Sequence, residues 1–403
     1  PHSLGIFYQS ICQYLGFDAH GEEYKVMGLA AMGKPRYAEK LRKIINFQKS
    51  GFKLNLKYFN LLSVLEENNV TIKYPHFFSR HLVNLLGPQR KRHKKILIKH
   101  KDMAASLQFV FEEVTLELVK FIEKKYKYKN LFLSGGCALN SLCNMRILKK
   151  TNFKNVFIQP NAGDGGGSLG AALYASNKLD NKFINKKLNS VYLGLDENIK
   201  IIKKVLNRFF LNNNKFIYKE FSSTNDLCRT IATKLGNKKI VAWHQGRAEF
   251  GPRALGNRSI LANPSSLKIK NEINKKIKMR EDFRPFGGSV LDTHANRYFN
   301  LSDNFDYLYM NSTCYVKNAF KKKIPAVINF DNTSRIQIVK KKHNHKFYKL
   351  LEHFYAITDL PVLLNTSLNI DEPICNTSED TVLTFLNSKI DVLVIENFMV
   401  TRK

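Results

Sequence analysis

Residues 130–140 read NLFLSGGCALN, and residues 155–170 read NVFIQPNAGDGGGSLG. Each stretch begins with a short apolar run, passes through a glycine-rich turn and continues with apolar residues at helical spacing. The pattern predicts helices over 138–150 and 168–175, each preceded by a strand. Two such units in succession are typical of an α/β sheet with ligand-facing loops at the carboxyl ends of its strands. We therefore predict an α/β fold, in the broad sense that includes α+β.

The rest of the chain extends this pattern into a second α/β domain. Helices are predicted over 103–125, 198–210, 224–235, 347–358 and 378–387, and strands within 51–100 and over 239–243, 325–330, 336–339, 361–365 and 392–396. Residues 176–190 are rich in lysine and asparagine and poor in apolar side chains, which indicates a linker. We predict two domains, over 1–180 and 190–403, and the length of 403 residues also favours two.

The composition favours a globular, cytoplasmic protein without a membrane span. Hydrophobic residues make up 44% of the chain, enough for packed cores, and no apolar run reaches about 18 residues. The six cysteines are scattered without C-x-x-C spacing, so we predict reduced, mostly buried thiols.

The formal charge of +32 is the strongest bulk feature and by itself suggests a polyanionic partner. Lysine and asparagine are, however, spread along the whole length and not gathered into one stripe. The densest basic cluster, at 90–95, is predicted to be a solvated loop. A nucleic-acid partner is therefore not favoured.

Arginines concentrate in three segments of the second half, although the chain as a whole is rich in lysine. They are Arg247, Arg253 and Arg258 in GRAEFGPRALGNRSIL (246–261), Arg280 and Arg284 in MREDFRPF (279–286), and Arg335 in DNTSR (331–335). A guanidinium presents five fixed N–H donors, which makes arginine a natural clamp for phosphate or carboxylate. We therefore predict an anion pocket from these six arginines, to which Ser367 and Asn369 add small donors at the end of a strand.

The first glycine turn is a candidate nucleotide site. Gly135 and Gly136 would let a phosphate approach the backbone N–H groups at the start of the following helix, beside Asn140. A tight turn without a ligand explains the two glycines equally well.

The second glycine turn is a candidate metal or nucleotide site. Asp164, followed by Gly165 and Gly166, is predicted to be an exposed and sterically open carboxylate. Such a carboxylate suits a hard metal ion or a nucleotide hydroxyl. The alternative is an ordinary helix N-cap, which does not require so many glycines.

Eight segments resemble a known family in sequence and in order. They are PHSLG (1–5), GEEYKVMGLA (21–30), LSGGCALN (133–140), NAGDGGGSLGAAL (161–173), GRAEFGPRALGNRSIL (246–261), MREDFRPF (279–286), IPAVINFDNTSR (324–335) and PVLLNTSLN (361–369). The chain is thereby similar, over nearly its whole length, to the O-carbamoyltransferases that act on nodulation factors and antibiotics.

The resemblance implies a two-domain, ATP-dependent O-carbamoyltransferase. Its first domain would be the C-terminal part of an actin-like ATPase fold, in the branch shared with the protein that makes threonylcarbamoyl-tRNA. Its second would be a YrdC-like α/β domain that forms carbamoyl-adenylate from carbamoyl phosphate and ATP. The first domain would then pass the carbamoyl group to an acceptor hydroxyl near an Fe²⁺ ion, and Mg²⁺ is a further expected cofactor.

The resemblance also assigns roles to the candidate residues. The six arginines would offset the charge of carbamoyl phosphate, ATP and the transition state. Ser367 and Asn369 would correspond to the S-x-N end of a YrdC-type pocket, Asp164 would be a metal ligand, and the glycines of both turns would let nucleotide and metal lie against the backbone.

This chain departs from the family pattern in two places. The histidine pair H-x-x-x-H, which supplies the other metal ligands, belongs to an N-terminal region that we expect to be absent before Pro1, to be supplied by a preceding segment or a separate chain. The family usually has His and Gly where this chain has Asn329 and Asn332. A lone Asp164 would hold a metal poorly, since such sites normally need three or more protein ligands.

Alternatives from other classes are an inactive or partner-dependent half of a split carbamoyltransferase, and a basic nucleic-acid-binding module. The acceptor is not specified by the sequence, and a homo-oligomer is left open.

Overall fold

The computed structural model places the chain in two compact units, Pro1–Ile158 and Gln159–Lys403, called here the first and the second unit. Both contain helices and strands, so the predicted fold class is confirmed as a mixed α/β protein. The residues that the structure describes are 2–19, 21–48, 51–60, 76–180 and 190–403.

The first unit is mainly helical. Its helices are α1 (Leu4–Tyr14), α2 (Glu23–Ala30), α3 (Ala38–Arg42), α4 (Arg80–Leu86), α5 (Ile98–Tyr126) and α6 (Ser141–Lys150). Its strands form an antiparallel pair, β1 (Ile45–Gln48) with β2 (Gly51–Leu54), and a parallel pair, β3 (Asn130–Leu133) with β4 (Asn155–Ile158). Short 3-10 turns lie at Leu56–Tyr58 and Gly136–Leu139.

Helix α5 carries the core of the first unit. Its buried apolar residues recur every three or four positions, as an amphipathic helix requires, and include Met103, Leu107, Val110, Phe111 and Val114. The ring of Tyr8 on α1 meets the ring of Phe111 edge-on, with 5.2 Å between centroids. The helix predicted over 103–125 is therefore confirmed, and it extends further at its start.

The basic loop at 90–95 is not simply solvated. Arg90 is buried, and its Nε and Nη2 atoms donate to the carbonyls of Leu15 and Gly16. Arg92 forms ion pairs with Asp18 and Glu22. The prediction of a solvated loop is confirmed for 91–95, which are exposed, and is wrong for Arg90, whose buried side chain anchors the loop.

The second unit contains the remaining elements. Its helices are α7 (Gly167–Asp180), α8 (Ile199–Phe210), α9 (Thr224–Gly236), α10 (Leu267–Glu272), α11 (Asp292–Tyr298), α12 (His345–Thr358) and α13 (Ser378–Leu386), with a π-helical turn at Ile273–Ile277 directly after α10. Its strands are β5 (Phe216–Glu220), β6 (Val241–His244), β7 (Arg258–Ala262), β8 (Gly287–Leu291), β9 (Phe299–Asn300), β10 (Thr313–Val316), β11 (Thr333–Val339), β12 (Val362–Ser367), β13 (Val392–Ile395) and β14 (Phe398–Arg402). Short 3-10 turns lie at Asp164–Gly166, Asn318–Phe320 and Pro325–Val327.

The ten strands of the second unit form one mixed sheet, in the order β5–β14–β13–β6–β7–β12–β8–β11–β10–β9. The pairs β6–β13 and β8–β11 are parallel, and the other neighbours are antiparallel. Strands β6, β7, β8 and β13 are buried at every position. Continuous burial explains why β6 and β13 read as apolar runs without strict alternation.

Most predicted elements of the second half are confirmed, with ends shifted by a few residues. The strand predicted over 325–330 is wrong, because Pro325 starts a 3-10 turn. Ala326 and Val327 are buried, but Phe330 is exposed, and Ala326 N–H donates to the carbonyl of Pro264 and not to a neighbouring strand.

The region predicted as a linker, 176–190, is in part helical. Helix α7 continues to Asp180, beyond the predicted end at 175, and residues 181–189 lie outside the described part of the chain. The predicted domains, 1–180 and 190–403, stay a prediction, since the two compact units are divided at Ile158.

All six cysteines are unbridged, and all but Cys137 are buried, as predicted. In the described residues no helix is both long and apolar enough to cross a membrane.

Gly256 in the turn before β7 requires the absence of a side chain. Its φ is +104°, and a Cβ there would lie 2.3 Å from Cδ1 of the buried Phe347. We expect Gly256→Ala to lower the free energy of unfolding by about 3 kcal/mol, from backbone strain plus overpacking. Chemical denaturation followed by circular dichroism measures the change.

Gly170 on α7 is the matched control, because a Cβ there meets nothing within 4 Å. Gly170→Ala is expected to be neutral or to add up to about 1 kcal/mol, since alanine favours helix. Phe347→Leu in the Gly256→Ala background is expected to recover part of the loss. Equal effects of the two glycine substitutions would contradict the assigned clash.

Candidate anion-binding site

Five strand ends meet at one end of the central sheet. Strand β6 ends at His244 opposite Arg258 at the start of β7, and Ser259 of β7 pairs with Ser367 at the end of β12. Next to β12, strand β8 begins at Gly287, which pairs with Arg335 of β11. The register therefore brings residues from distant segments of the sequence to one edge.

Arg253, Arg280 and Arg335, here called the arginine cluster, gather at this edge. Arg335 is the central member, and its Nε is buried without a hydrogen-bond partner among the described residues. Burial holds the pKa of Arg335 well below its usual range, and the charges of Arg253 and Arg280 lower it further. Because arginine stays charged, three half-buried like charges lie together here, and an anion would satisfy them.

Lys278, which the sequence did not single out, is the fourth cation of this edge. Its side chain is buried, and its Nζ donates to the carbonyl of Ser367 at 2.7 Å and to Oδ1 and the carbonyl of Asn369, both at 2.6 Å. Burial and then the charge of Arg280 hold the pKa of Lys278 well below its usual range. In a lysine-rich sequence nothing distinguished this residue except its position two before Arg280.

Ser367 and Asn369 are joined to each other as well. The Ser367 hydroxyl donates to Oδ1 of Asn369 at 2.7 Å, and Nδ2 of Asn369 donates to the carbonyl of Glu372 at 2.6 Å. The two residues that the sequence predicted together are thus placed together, and Lys278 donates to both.

Asn274 organises the segment that carries Arg280 and Arg284. It is fully buried in the π-helical turn, and its Oδ1 accepts from Nε of Arg280 at 2.8 Å. Its Nδ2 lies 3.3 Å from the carbonyl of Arg284. The Arg280 guanidinium also covers the Phe286 ring, 4.8 Å from its centroid. Arg284 is buried, with its Nε 3.8 Å from a carboxylate oxygen of Glu281.

The loop 246–258 owes its shape to Glu249. One carboxylate oxygen accepts from the backbone N–H groups of Leu255 at 2.6 Å, Asn257 at 2.8 Å and Arg258 at 3.2 Å. Three donors to one oxygen fix the turn that follows Arg253. Arg247, at the start of the loop, is exposed, so the structure does not enclose it with the arginine cluster.

Arg258 binds backbone carbonyls of the chain through its guanidinium. It is fully buried, and its guanidinium donates to the carbonyls of Gln245, Gly246, Asn257 and Asn376, at distances of 2.9–3.4 Å. Burial lowers its pKa, and the carboxylate of Glu249 acts in the opposite direction. With its donors directed at backbone, Arg258 fastens loops to the sheet, and we leave it out of the anion site.

In the first unit, the turn Gly135–Gly136 has open space around it. Gly135 has φ +94°, and a Cβ on either glycine would meet nothing within 4 Å. Asn140, by contrast, is committed to the fold: it caps α6 by accepting from Cys143 N, and it exchanges two hydrogen bonds with Gln108. The turn can therefore admit a ligand, whereas the Asn140 side chain is occupied.

The glycines after Asp164 are explained mainly by Asn161. A Cβ on Gly165 would lie 2.5 Å from the Asn161 side chain, and one on Gly166 would lie 2.3 Å from its carbonyl. Gly251 of the arginine-bearing loop, at φ +128°, packs against the carbonyl of Pro160 in the same way. The structure thus brings the Asp164 turn and the loop 246–258 together within the second unit.

The metal expected at Asp164 is not supported by its surroundings. Asp164 is exposed, and no three His, Cys, Asp or Glu side chains of the described residues are grouped to hold an ion. A single carboxylate does not fit Fe²⁺, which requires several ligands.

The two departures from the family pattern lie in one turn before β11. Asn332 has φ +64°, a conformation that glycine adopts freely and asparagine tolerates. Nδ2 of Asn329 donates to Oγ1 of Thr333 at 3.0 Å, and its buried Oδ1 has no hydrogen-bond partner among the described residues. The Asn332 departure is therefore conformationally mild, whereas Asn329 leaves an acceptor unsatisfied near Arg335.

Comparison with known proteins identifies the family to which the chain belongs. The model of the carbamoyltransferase N-terminus matches residues 1–173, and that of the carbamoyltransferase C-terminus matches residues 232–402. The chain belongs to the carbamoyltransferase family, as the sequence resemblance predicted, and the prediction of a carbamoyltransferase enzyme is confirmed at this level.

The similar proteins are longer than this chain. An uncharacterized protein of Synechocystis sp. is 36% identical over the whole chain, which spans 67% of that protein. Nodulation protein NolO of Bradyrhizobium diazoefficiens is 33% identical, with 69% of it spanned, and nodulation protein NolNO of Sinorhizobium fredii is 34% identical, with 56% spanned. A solved structure of full-length HypF aligns with 48% of this chain and 23% of its own at 17% identity, and its TM-score of 0.30 does not establish a shared fold.

The family match corrects one expectation. The chain was expected to lack the family's N-terminal part, but residues 1–173 are matched by the model of that terminus.

Proposed function

We propose that the second unit forms carbamoyl-adenylate from carbamoyl phosphate and ATP, and that the chain serves the transfer of the carbamoyl group to an acceptor hydroxyl. The proposal keeps the predicted roles of an actin-like domain over 1–180 and a YrdC-like domain over 190–403. The observation that carries it is the arginine cluster, in which Arg335, half-buried and with an unpartnered buried Nε among the described residues, lies beside two further guanidiniums.

Both substrates of this reaction are polyanions, which suits the site. The atoms balance when carbamoyl phosphate, ATP and one water give carbamoyl-adenylate, pyrophosphate and phosphate. A carbamate oxygen forms a bond to the α-phosphorus of ATP, and the bond from that phosphorus to the pyrophosphate oxygen breaks. Arg253, Arg280 and Arg335 would stabilise the negative charge on the transferring group and the departing pyrophosphate, since fixed cations in a low-dielectric site act strongly on developing charge.

Lys278, Ser367 and Asn369 would form the second wall of this site. The hydrogen bonds of Lys278 to both partners hold the end of β12 in one conformation. An amine with a lowered pKa whose donors are already occupied contributes order as well as charge. In this proposal, Lys278, Ser367 and Asn369 orient the nucleotide relative to the arginine cluster.

In the transfer step, the acceptor hydroxyl oxygen would attack the carbamoyl carbon, AMP would leave, and the hydroxyl proton would be lost. No metal is assigned to this step, because in the described part of the chain no group of three His, Cys, Asp or Glu side chains could hold an ion at Asp164. The open turn at Gly135–Gly136 is the proposed place for nucleotide phosphate in the first unit.

The activity is tested by incubating the chain with ATP and carbamoyl phosphate and detecting carbamoyl-adenylate by mass spectrometry, with pyrophosphate release measured in parallel. Pyrophosphate release that depends on carbamoyl phosphate is the expected result. Release without carbamoyl phosphate, or none with it, would refute adenylate formation by this chain.

A further inference from the structure

Three buried polar side chains cross the middle of the ten-stranded sheet. They are Asn365 on β12, Ser289 on β8 and Gln337 on β11, each at most 4% exposed. Nδ2 of Asn365 donates to the Ser289 hydroxyl at 2.9 Å, and that hydroxyl donates to Oε1 of Gln337 at 2.8 Å. We call these three residues the polar file.

Both ends of the polar file contact the loop that carries Arg253. Nε2 of Gln337 donates to the carbonyl of Leu255 at 2.8 Å, and Nδ2 of Asn365 lies 3.3 Å from the carbonyl of Ala254. These are the two residues that follow Arg253. Because Glu249 accepts from the N–H of Leu255, side chains hold both the amide and the carbonyl of that residue.

Stability of the sheet does not explain the polar file. Strand β8 is buried at every position and β12 over its first four residues, and apolar side chains of similar size would pack there without needing partners. The file is also incompletely satisfied, since Oδ1 of Asn365 is buried with no hydrogen-bond partner in the described residues. Because a buried, unsatisfied polar atom destabilises the fold, the polar file is better explained by the backbone segment that it holds in place.

Arg253 needs to be held, because its guanidinium and that of Arg335 repel each other. Without a bound anion this repulsion favours conformations of the loop that move Arg253 away. The backbone contacts of the polar file oppose that movement directly behind Arg253. Tyr192 adds a second donor to the Leu255 carbonyl, with its hydroxyl at 2.9 Å.

We propose that Gln337 is a positioning residue that acts through the Leu255 carbonyl to keep Arg253 in the arginine cluster. This inference rests on the proposed function for its effect on catalysis, but the effect on the loop can be measured without any reaction. Gln337 does not contact substrate in this assignment, and Arg253 is the group through which it acts.

The first test replaces Gln337 by methionine, which has a similar shape and no amide. We expect kcat/KM for carbamoyl-adenylate formation to fall by about 10- to 100-fold, the range that a misplaced catalytic group produces. The loss of kcat/KM in Gln337→Met should come from kcat and KM in the same proportion as the loss in Arg253→Met. Hydrogen exchange of the backbone amides at Leu255 and Asn257 is expected to accelerate, with the rest of the sheet unchanged.

Ser334→Ala is the matched control. Ser334 is a fully buried polar residue of the same strand, its side chain alternates to the opposite face from Arg335, and its hydroxyl makes no hydrogen bond among the described residues. We expect normal kinetics and normal exchange in the loop. Equal losses in Gln337→Met and Ser334→Ala would show a general effect on the sheet and would overturn the proposal.

A double-mutant cycle provides the decisive measurement. If Gln337 acts through Arg253, the double variant Gln337→Met with Arg253→Met loses no more activity than Arg253→Met alone. Additive losses would overturn the proposal. If the wild-type chain forms no carbamoyl-adenylate, the proposed function fails, and exchange at the loop amides still decides whether Gln337 holds the loop.

Discussion

Replacement of Arg335 by methionine is expected to lower carbamoyl-adenylate formation by about 10²–10³-fold, the loss caused by removing one preorganised charge-stabilising donor. The same substitution is expected to leave the melting temperature unchanged or to raise it. The buried Nε of Arg335 has no hydrogen-bond partner among the described residues, and the guanidinium lies beside two others. The charge of Arg335 therefore destabilises the folded protein. Removing a buried, uncompensated charge is neutral or stabilising.

The opposite directions of the two effects separate a binding role from a structural one. Activity is followed through carbamoyl-phosphate-dependent pyrophosphate release, and stability by differential scanning calorimetry without substrates. Arg247→Met serves as the control, because Arg247 is exposed and lies outside the arginine cluster, and a change of a few-fold at most is expected. A lower melting temperature in Arg335→Met, or full activity, would remove Arg335 from the proposed site.

Arg258→Met is expected to have its main effect on folding. It deprives four backbone carbonyls of their guanidinium donor, including that of the buried Gln245, whereas the Asn257 carbonyl keeps the N–H of Gln245. Leaving such groups unsatisfied costs about 2–4 kcal/mol, which for a chain of 403 residues unfolding together corresponds to a fall in melting temperature of roughly 2–5 °C. Residual activity at low temperature is expected to be close to that of the wild type, per folded molecule.

Arg258→Lys tests the geometry of the same interaction. A lysine keeps the charge, but its compact ammonium cannot reach carbonyls on both sides as a planar guanidinium does. We expect it to recover less than half of the lost stability. Retained stability with lost activity in either variant would contradict the structural assignment and return Arg258 to the anion site, where the sequence alone had placed it.

The segments of the fold could be predicted from local sequence. Short apolar runs before glycine turns predicted β3 and β4, and apolar residues at helical spacing predicted α5, α8, α9, α12 and α13, because these signals act within a few residues. The strand predicted over 325–330 failed because a proline at its start favoured a 3-10 turn that the apolar pattern did not reveal.

The residue types of the site could also be predicted from sequence, since arginines at turns in a lysine-rich chain indicate anion binding. The sequence could not divide these arginines into roles. Arg258 and Arg335 both follow turn residues, yet one donates to backbone carbonyls and the other retains an unsatisfied donor. Such hydrogen-bond partners lie partly on distant segments of the chain, so they cannot be predicted from local sequence.

The sequence by itself therefore determined the class of fold, the family and the segments that bear charge. The tertiary structure decided which charges meet. Strand register places Gly287 between Arg335 and Asn365, and the order of strands in the sheet brings Lys278 to Ser367 and Gln337 to Leu255. The physical reason is that register and strand order depend on pairings between residues far apart in the sequence, such as Phe216 with Arg402. The position of each arginine is therefore fixed only when the whole sheet is assembled.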